Sequence, residues 1–224
     1  MNRCLPYFAL LIGLVAGYAC AREAAAPRYT STAPSEAGTG KIYMGREIAR
    51  VMSFHGAQWL ERPEREREER TDLILPMLEL KPGMVVADIG AGTGYYAWRM
   101  AKQVASGGRV LAVEVQREML LLLEKQMARR GVDNVVSVLG ETDDPKLPPN
   151  SVDLALMVDV YHEFDFPYEM LARITEALKP GVKESQIVGL ASKRLYEMGS
   201  DCVEAINAIA GERCSPHPHN FTDR

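Results

Sequence analysis

The sequence predicts an α/β fold: a mostly parallel central sheet flanked by helices. Three observations carry that prediction. Short apolar, β-branched runs alternate with segments of helical length, the first such run leads straight into a glycine-rich turn, and the helical segments close at Gly or at Lys-Pro-Gly stops. Strands that are apolar along their whole length are buried on both faces, which is the condition of a parallel sheet sandwiched between helices.

With 224 residues, the chain has room for one sizeable domain or two small ones. Residues 1–21 stand apart from it. A single charge, Arg3, precedes an apolar run from Leu5 to Ala16, and the small residues Ala19-Cys20-Ala21 follow. This is the order of a secretory signal peptide. Two other readings share the stretch: an uncleaved anchor, since Cys4–Ala21 is close to spanning length, and a lipoprotein held through Cys20. The expectation is an exported protein, periplasmic or secreted, that meets a membrane only through an uncleaved or lipidated N-terminus. Residues 22–41, rich in Ala, Pro, Ser, Thr and Gly, read as a flexible linker.

Residues 42–83 read as an N-terminal helical cap. Ile48, Val51, Met52 and Trp59 recur at loosely helical spacing. Glu61–Asp72 mixes Glu and Arg so densely that it predicts a solvated helix laced with ion pairs. Leu73–Leu80 is apolar and stops at Lys81-Pro82-Gly83.

The core is expected over residues 84–190. Met84–Ile89 is the first strand, Gly90-Ala91-Gly92-Thr93-Gly94 the turn, and Tyr95–Val104 the helix after it. Arg109–Val115 is the second strand. Gln116–Arg130 is a helix closed by Gly131. Val135–Leu139 and Val152–Val158 are the third and fourth strands, and Phe166–Leu178 is an amphipathic helix ending at Lys179-Pro180-Gly181. Gln186–Leu190 is a short apolar piece and Leu195–Ala210 a helix, within a divergent tail over 191–224.

Composition narrows the function. Lys plus Arg number 26 against 30 Asp plus Glu, a net charge of -4, so the basic surplus needed to grip a nucleic-acid backbone is lacking. Four cysteines are too few for a disulfide scaffold. Cleavage after Ala21 would leave Cys202 and Cys214, either paired or as free thiols. No metal-ligand set is read; His217 and His219 sit in a Pro-rich loop.

The glycine turn carries the chemistry. Lying at the carboxyl end of the first strand, it sits where open α/β sheets bind ligands, and glycines let a ligand approach the main chain. The dinucleotide pattern G-x-G-x-x-G needs a third glycine at position 95, which is Tyr95. Asp88, two residues before the first glycine, would repel a pyrophosphate and suits a ligand bearing cationic or hydroxyl groups.

Val85-Val86-Ala87-Asp88-Ile89-Gly90-Ala91-Gly92-Thr93-Gly94 resembles motif I of the class I S-adenosylmethionine-dependent methyltransferases, whose fold is Rossmann-like. The resemblance covers roughly Leu73–Gly181. It implies S-adenosyl-L-methionine as cofactor, held by Asp88, Gly90, Ala91, Gly92 and Gly94. Glu114, 26 residues beyond Asp88, matches the acid that takes the cofactor's ribose hydroxyls, since a carboxylate accepts two such bonds. Gly140-Glu141-Thr142-Asp143 falls where the family contacts adenine, with Glu141 and Asp143 both candidates. Asp159-Val160-Tyr161-His162-Glu163-Phe164 matches the loop near the transferred methyl. It adds Asp159 to the cofactor set and Tyr161, His162 and Glu163 as candidates for substrate contact or general base.

Methyl transfer from a sulfonium is an in-line displacement in which the protein chiefly positions the reactants. The loop lacks the Asn/Asp-Pro-Pro-Tyr/Phe pattern of nucleobase amino-methylation and the Pro-Cys of cytosine C5 methylation, so a small-molecule acceptor is expected. Tyr95 and Tyr96 either cover the cofactor or pack the first helix. His55, Trp59 and Arg62 fall where the family adds a cap over the pocket. The tail after Gly181 departs from the family's closing strands and reads as divergent, truncated or frame-shifted, so the last strands of the sheet are in doubt. The alternatives are a ligand-binding relative without turnover and, more distantly, a nicotinamide-dependent oxidoreductase.

Overall fold

The computed structural model describes residues 27–180. The expected signal segment, Gly181, Cys202, Cys214, His217, His219 and the tail elements lie outside the described residues.

The central sheet forms from the four apolar runs. β4 (Val85–Ile89) lies between β5 (Arg109–Glu114) and β7 (Leu154–Met157), and β6 (Val135–Leu139) pairs with β5, giving the order β6-β5-β4-β7 with every pairing parallel. Successive side chains of β4 point to opposite faces. Val86 joins Met100, Val104 and Leu123 on one side, while Ala87 and Ile89 join Met170, Ile174 and Ala177 on the other. Two cores, one per face, are what a parallel sheet between helix layers requires. The fourth strand is shorter than the sequence pattern: Val152 makes only a single parallel bridge to Leu178.

Three helices cover the sheet. α4 (Ala97–Val104) buries Ala97, Met100, Ala101 and Val104, the i, i+3, i+4, i+7 face of one helix. α5 (Arg117–Arg130) ends where Gly131 takes a left-handed φ of 63° and its N–H bonds to the carbonyls of Ala128 and Met127. α6 (Pro167–Ala177) starts on a proline, whose missing N–H costs nothing in the first turn.

The N-terminal region corrects two expectations. From Tyr29 onward the supposed linker is β-structure: β1 (Tyr29–Ser31), β2 (Gly38–Tyr43) and β3 (Arg46–Ala49) form an antiparallel sheet in that order. The strands of β2 and β3 meet at Met44 and Gly45, both with positive φ (48° and 80°), the two-residue hairpin geometry that matches strand twist. Loop-like composition concealed this, because Gly38 and Gly40 sit inside a strand. The sheet docks on α6 through Tyr29, which donates to Glu169 and packs edge-on against Phe166 5.7 Å away. Lys41 Nζ donates to the Asp165 carbonyl at 2.8 Å.

The helical cap is therefore shorter than residues 42–83. It begins with a 3-10 turn at Phe54–Gly56, continues as α1 (Ala57–Leu60), and is followed by α2 (Arg65–Glu69) and α3 (Thr71–Met77). The charged run is two helices, broken at Arg70, whose φ is 49°. It carries local ion pairs, among them Arg62 with Glu68 and Glu69, and Arg65 with Glu69, while Glu61 pairs with Arg130 on α5. Arg65 is not solvated, however: it is 6% exposed.

Candidate functional site

Three segments meet at the carboxyl end of the sheet: the turn after β4, the end of β5, and the loop after β7. The cap closes over them, and together they line one cleft.

The turn after β4 folds back over β5, since the N–H groups of Gly90 and Ala91 both donate to the Val113 carbonyl (2.9 and 3.0 Å). Two glycines are demanded by packing as well as by backbone. Gly94 has φ of 84°, and a Cβ there would lie 2.8 Å from Met127 Cε and 3.1 Å from Leu123 Cγ, so its lack of a side chain seats α5. Gly90 has φ of 70°, and a Cβ there would lie 2.8 Å from the Cβ of Val160 in the loop after β7.

Beneath the turn stand two buried carboxyls. Asp88 is 3% exposed, and its Oδ2 has no hydrogen-bond partner among the described residues. Burial pushes its pKa up to about 7, against the opposing pull of the Ala97 N–H and the Arg65 charge. Glu114 is 7% exposed; its Oε1 accepts from the N–H groups of Val115 (2.8 Å) and Gln116 (3.2 Å), and its Oε2 from Gly92 (3.2 Å). Burial raises its pKa too, and those three N–H groups work against the rise. Both carboxyls, with Gly90, Ala91 and Gly92, line the cleft. Gly94 does not; its place is structural.

Tyr95 and Tyr96 line the cleft and are buried, so they serve the wall and the core at once. Thr142 lines it as well, whereas its neighbours Glu141 and Asp143 do not. Glu141 instead pairs with Lys146 Nζ at 3.0 Å.

The loop after β7 contains a 3-10 turn at Tyr161–Glu163. Asp159, His162 and Glu163 line the cleft. Tyr161 does not: it is exposed and packs edge-on against Phe164. The His162 ring lies between two carboxylates, Nδ1 3.8 Å from Asp159 and Nε2 3.9 Å from Glu163, beyond hydrogen-bond length in both cases. Glu163 is half-buried and accepts the N–H of Met52 at 3.2 Å. Burial raises its pKa, against the pull of the Met52 N–H and the His162 ring, which strengthens it as a proton acceptor.

Val51, Met52, Trp59, Leu60, Arg65 and Gln116 line it from the cap and the segment after β5. Of the expected cap residues only Trp59 is among them. Arg62 stacks over the Trp59 ring, its guanidinium carbon 3.8 Å from the centroid. Arg65 and Gln116 escaped the sequence reading. Arg65 sat within a uniform charged run, and only its place one turn before Glu69, four residues on, hinted at a fixed partner. Nothing marked Gln116 except its position two residues after Glu114.

The donors present fit S-adenosyl-L-methionine. A buried, unpartnered Asp88 oxygen awaits a donor or cation. A second buried carboxylate at the end of the next strand faces the same space, where ribose hydroxyls have acceptors. The glycine turn brings the main chain of Gly90–Gly92 to the wall of the same cleft.

Known proteins agree. A family model described as a methyltransferase domain matches residues 86–181. The chain is 30% identical over 81 residues to a nocamycin O-methyltransferase of Saccharothrix syringae, covering 36% of this chain and 29% of that one. It is 29% identical over 126 residues to a protein-L-isoaspartate O-methyltransferase of Methanopyrus kandleri, covering 56% of this chain and 53% of that one. The chain thus spans about half or less of the length of these curated relatives. A crystal structure of a SAM-dependent methyltransferase from Aquifex aeolicus superposes with a TM-score of 0.55 at 24% identity, over 66% of this chain and 89% of that one, a likeness of fold. Over residues 86–181 the chain is thus similar to the methyltransferase-domain family, and its sheet has the fold of an S-adenosyl-L-methionine-dependent methyltransferase.

Proposed function

We propose that the protein transfers a methyl group from S-adenosyl-L-methionine to a small-molecule acceptor. The observation that carries this reading is the convergence of Asp88, Glu114 and the Gly90–Gly92 main chain on one cleft. When bound, the cofactor supplies an electrophilic methyl on a sulfonium. Glu114 would accept the ribose hydroxyls, and the free Asp88 oxygen would take a donor from the methionine end. Thr142 would meet the adenine in place of Glu141 or Asp143, and Asp159 would hold the cofactor from the loop after β7.

The acceptor enters from the side of that loop. Glu163, its proton affinity raised by burial, removes the proton of a hydroxyl or amine nucleophile. His162, between Glu163 and Asp159, is the second candidate for that task. Tyr161, outside the cleft, takes no part. Asp159, Glu163 and Asp165 line this end, which disfavours an anionic acceptor and favours an uncharged or cationic one. The relative named a nocamycin O-methyltransferase supports a small acceptor and O-methyl transfer. Relatives named for protein-L-isoaspartate support a protein carboxyl instead, against which the carboxylates of the cleft weigh.

Export through residues 1–21 belongs to the same proposal; an intact Met1 on soluble cytoplasmic protein purified from the native host would count against it. The cofactor reading is tested by calorimetric titration with S-adenosyl-L-methionine. A folded sample that binds, and an Asp88→Ala variant that binds at least about tenfold more weakly, are expected. No binding, or equal binding by the variant, overturns it. Binding without methyl transfer across a broad panel of acceptors would favour a relative that keeps the fold without turnover.

A further inference from the structure

The cap segment between β3 and the 3-10 turn at Phe54 has no regular secondary structure over residues 50–53, yet Val51 and Met52 wall the cleft. Side chains fix it in place of a ladder. The Gln116 carboxamide grips it with both ends: Nε2 donates to the Met52 carbonyl at 2.8 Å, and Oε1 accepts the Phe54 N–H at 3.0 Å. From the opposite wall, Glu163 Oε1 accepts the Met52 N–H at 3.2 Å. The Gln116 N–H in turn donates to Glu114 Oε1 at 3.2 Å. Met52 is therefore bonded through its carbonyl to the segment that follows the ribose-binding carboxylate, and through its N–H to the candidate base.

An amide side chain is suited to this place because it is both donor and acceptor, and each part-buried peptide group of the cap needs a partner. A carboxylate would satisfy only the Phe54 N–H, and a hydrocarbon would satisfy neither group.

We propose that Gln116 is a positioning residue: it pins the cap backbone at Met52 and Phe54, and through Met52 it sets Glu163 over the cleft. The role of Glu163 rests on the methyltransferase reading; the pinning of the cap does not. Because the pinned segment walls the cleft, the same pin slows ligand exchange.

The test reads backbone amide hydrogen exchange residue by residue in the full chain, without ligand, for the wild type, Gln116→Met and Gln116→Glu. Gln116→Met keeps the length of the side chain and removes both bonds. Met52 and Phe54 are expected to exchange about tenfold faster or more in it, while the amides of β4 and β5 keep their rates. Gln116→Glu keeps the acceptor of the Phe54 N–H and loses the donor to the Met52 carbonyl, so Phe54 regains its protection, while Met52, whose own N–H bonds to Glu163, stays fast because its carbonyl is no longer held. Equal rates in all three proteins, or a rise spread over the whole sheet, overturns the proposal.

A second arm uses S-adenosyl-L-homocysteine as probe. Its dissociation from Gln116→Met is expected to be about tenfold faster than from the wild type, and an unchanged rate overturns the gating of exchange. A wild type that does not bind the probe refutes the cofactor reading instead, and the ligand-free exchange pattern still decides for or against Gln116.

Discussion

Gly90 and Val160 occupy one another's space: a Cβ on Gly90 would lie 2.8 Å from the Cβ of Val160 and closer still to its Cγ2. Motif I and the loop after β7 are thus fitted to each other. Gly90→Ala carries two penalties, a left-handed φ of 70° that an L-residue resists and overlap with Val160. Together they are expected to cost about 2–4 kcal/mol. Adding Val160→Ala removes the Cγ2 overlap and leaves the Cβ contact, so it should recover part of the steric cost and none of the backbone cost. Thermal unfolding of the two single variants and the double variant measures the coupling, and strict additivity would show that the two loops do not touch.

Asp88 makes stability fall as pH rises. Burial holds its folded pKa at about 7, above the ordinary carboxyl value of 3.8. The protonated acid is therefore the form that folding favours, and its contribution is intact below pH 4 and lost as pH climbs toward 7. The penalty reaches on the order of 4 kcal/mol above pH 7, where both states are ionised. Asp88→Asn is expected to gain stability over the wild type across this window and to show no further gain beyond it. Denaturant unfolding at pH 4.5, 6 and 8 measures it; an Asn variant whose advantage is the same at all three would show that Asp88 is ionised throughout.

Ligand binding moves in the opposite direction. A donor or cation that meets the Asp88 oxygen prefers the carboxylate, so affinity for S-adenosyl-L-homocysteine is expected to rise between pH 6 and 8 and then level off. Asp88→Asn should remove the slope. Titration calorimetry across that range checks it, with a flat wild-type profile as the contrary result.

The parts of this fold that were legible in the sequence are those where one physical demand dominates. β4 and β5 are buried on two faces, and their apolar runs mark them to within a residue, as does the run of β6, which is only partly buried at the end of the strand order. Gly90-Ala91-Gly92-Thr93-Gly94 and Glu114 were legible because a tight strand-to-helix turn and a carboxylate at a strand end admit few residue types. The β1–β3 sheet was hidden because its residues are half-exposed and glycine-rich, so their pattern is that of a loop. Only Gly45 after Met44, between Ile42 and Ile48, hinted at the hairpin. Arg65 was illegible for another reason. Its neighbours Glu64, Glu66, Arg67 and Glu68 are equally charged, and burial of one member of such a run depends on tertiary packing.

Arg65 is expected to hold the cap together. Its Nε donates to Glu69 at 2.9 Å, its Nη1 to the Leu60 carbonyl at 2.9 Å, and its guanidinium lies over the Tyr95 ring, 4.3 Å from the centroid. Arg65→Ala strips a partner from a part-buried carbonyl and leaves Glu69 with Arg62 alone. The loss should be about 2–4 kcal/mol. A double-mutant cycle with Glu69→Ala should return a coupling of about 1–2 kcal/mol, well above that of an exposed pair. A coupling near zero would mean that Arg65 acts by packing on Tyr95 alone.

The β1 strand offers the opposite case, an attachment expected to be local. Tyr29 and Arg28 both reach Glu169 on α6, and Arg28 also stacks over Tyr168, its guanidinium carbon 3.4 Å from the ring centroid. Arg28 and Glu169 are substantially solvent-exposed, so the ion pair itself adds little, and most of the attachment is Tyr29 packed against Phe166 and bonded to the carboxylate. Glu169→Ala should cost about 1 kcal/mol. It should speed proteolysis within residues 27–37 while S-adenosyl-L-homocysteine affinity stays within about threefold, since none of Arg28, Tyr29 and Glu169 lines the cleft. Limited proteolysis read by mass spectrometry, beside calorimetry, separates the two effects. A loss of affinity beyond tenfold would make the N-terminal sheet part of the ligand site, acting through β3, which packs on the turn that carries Glu163.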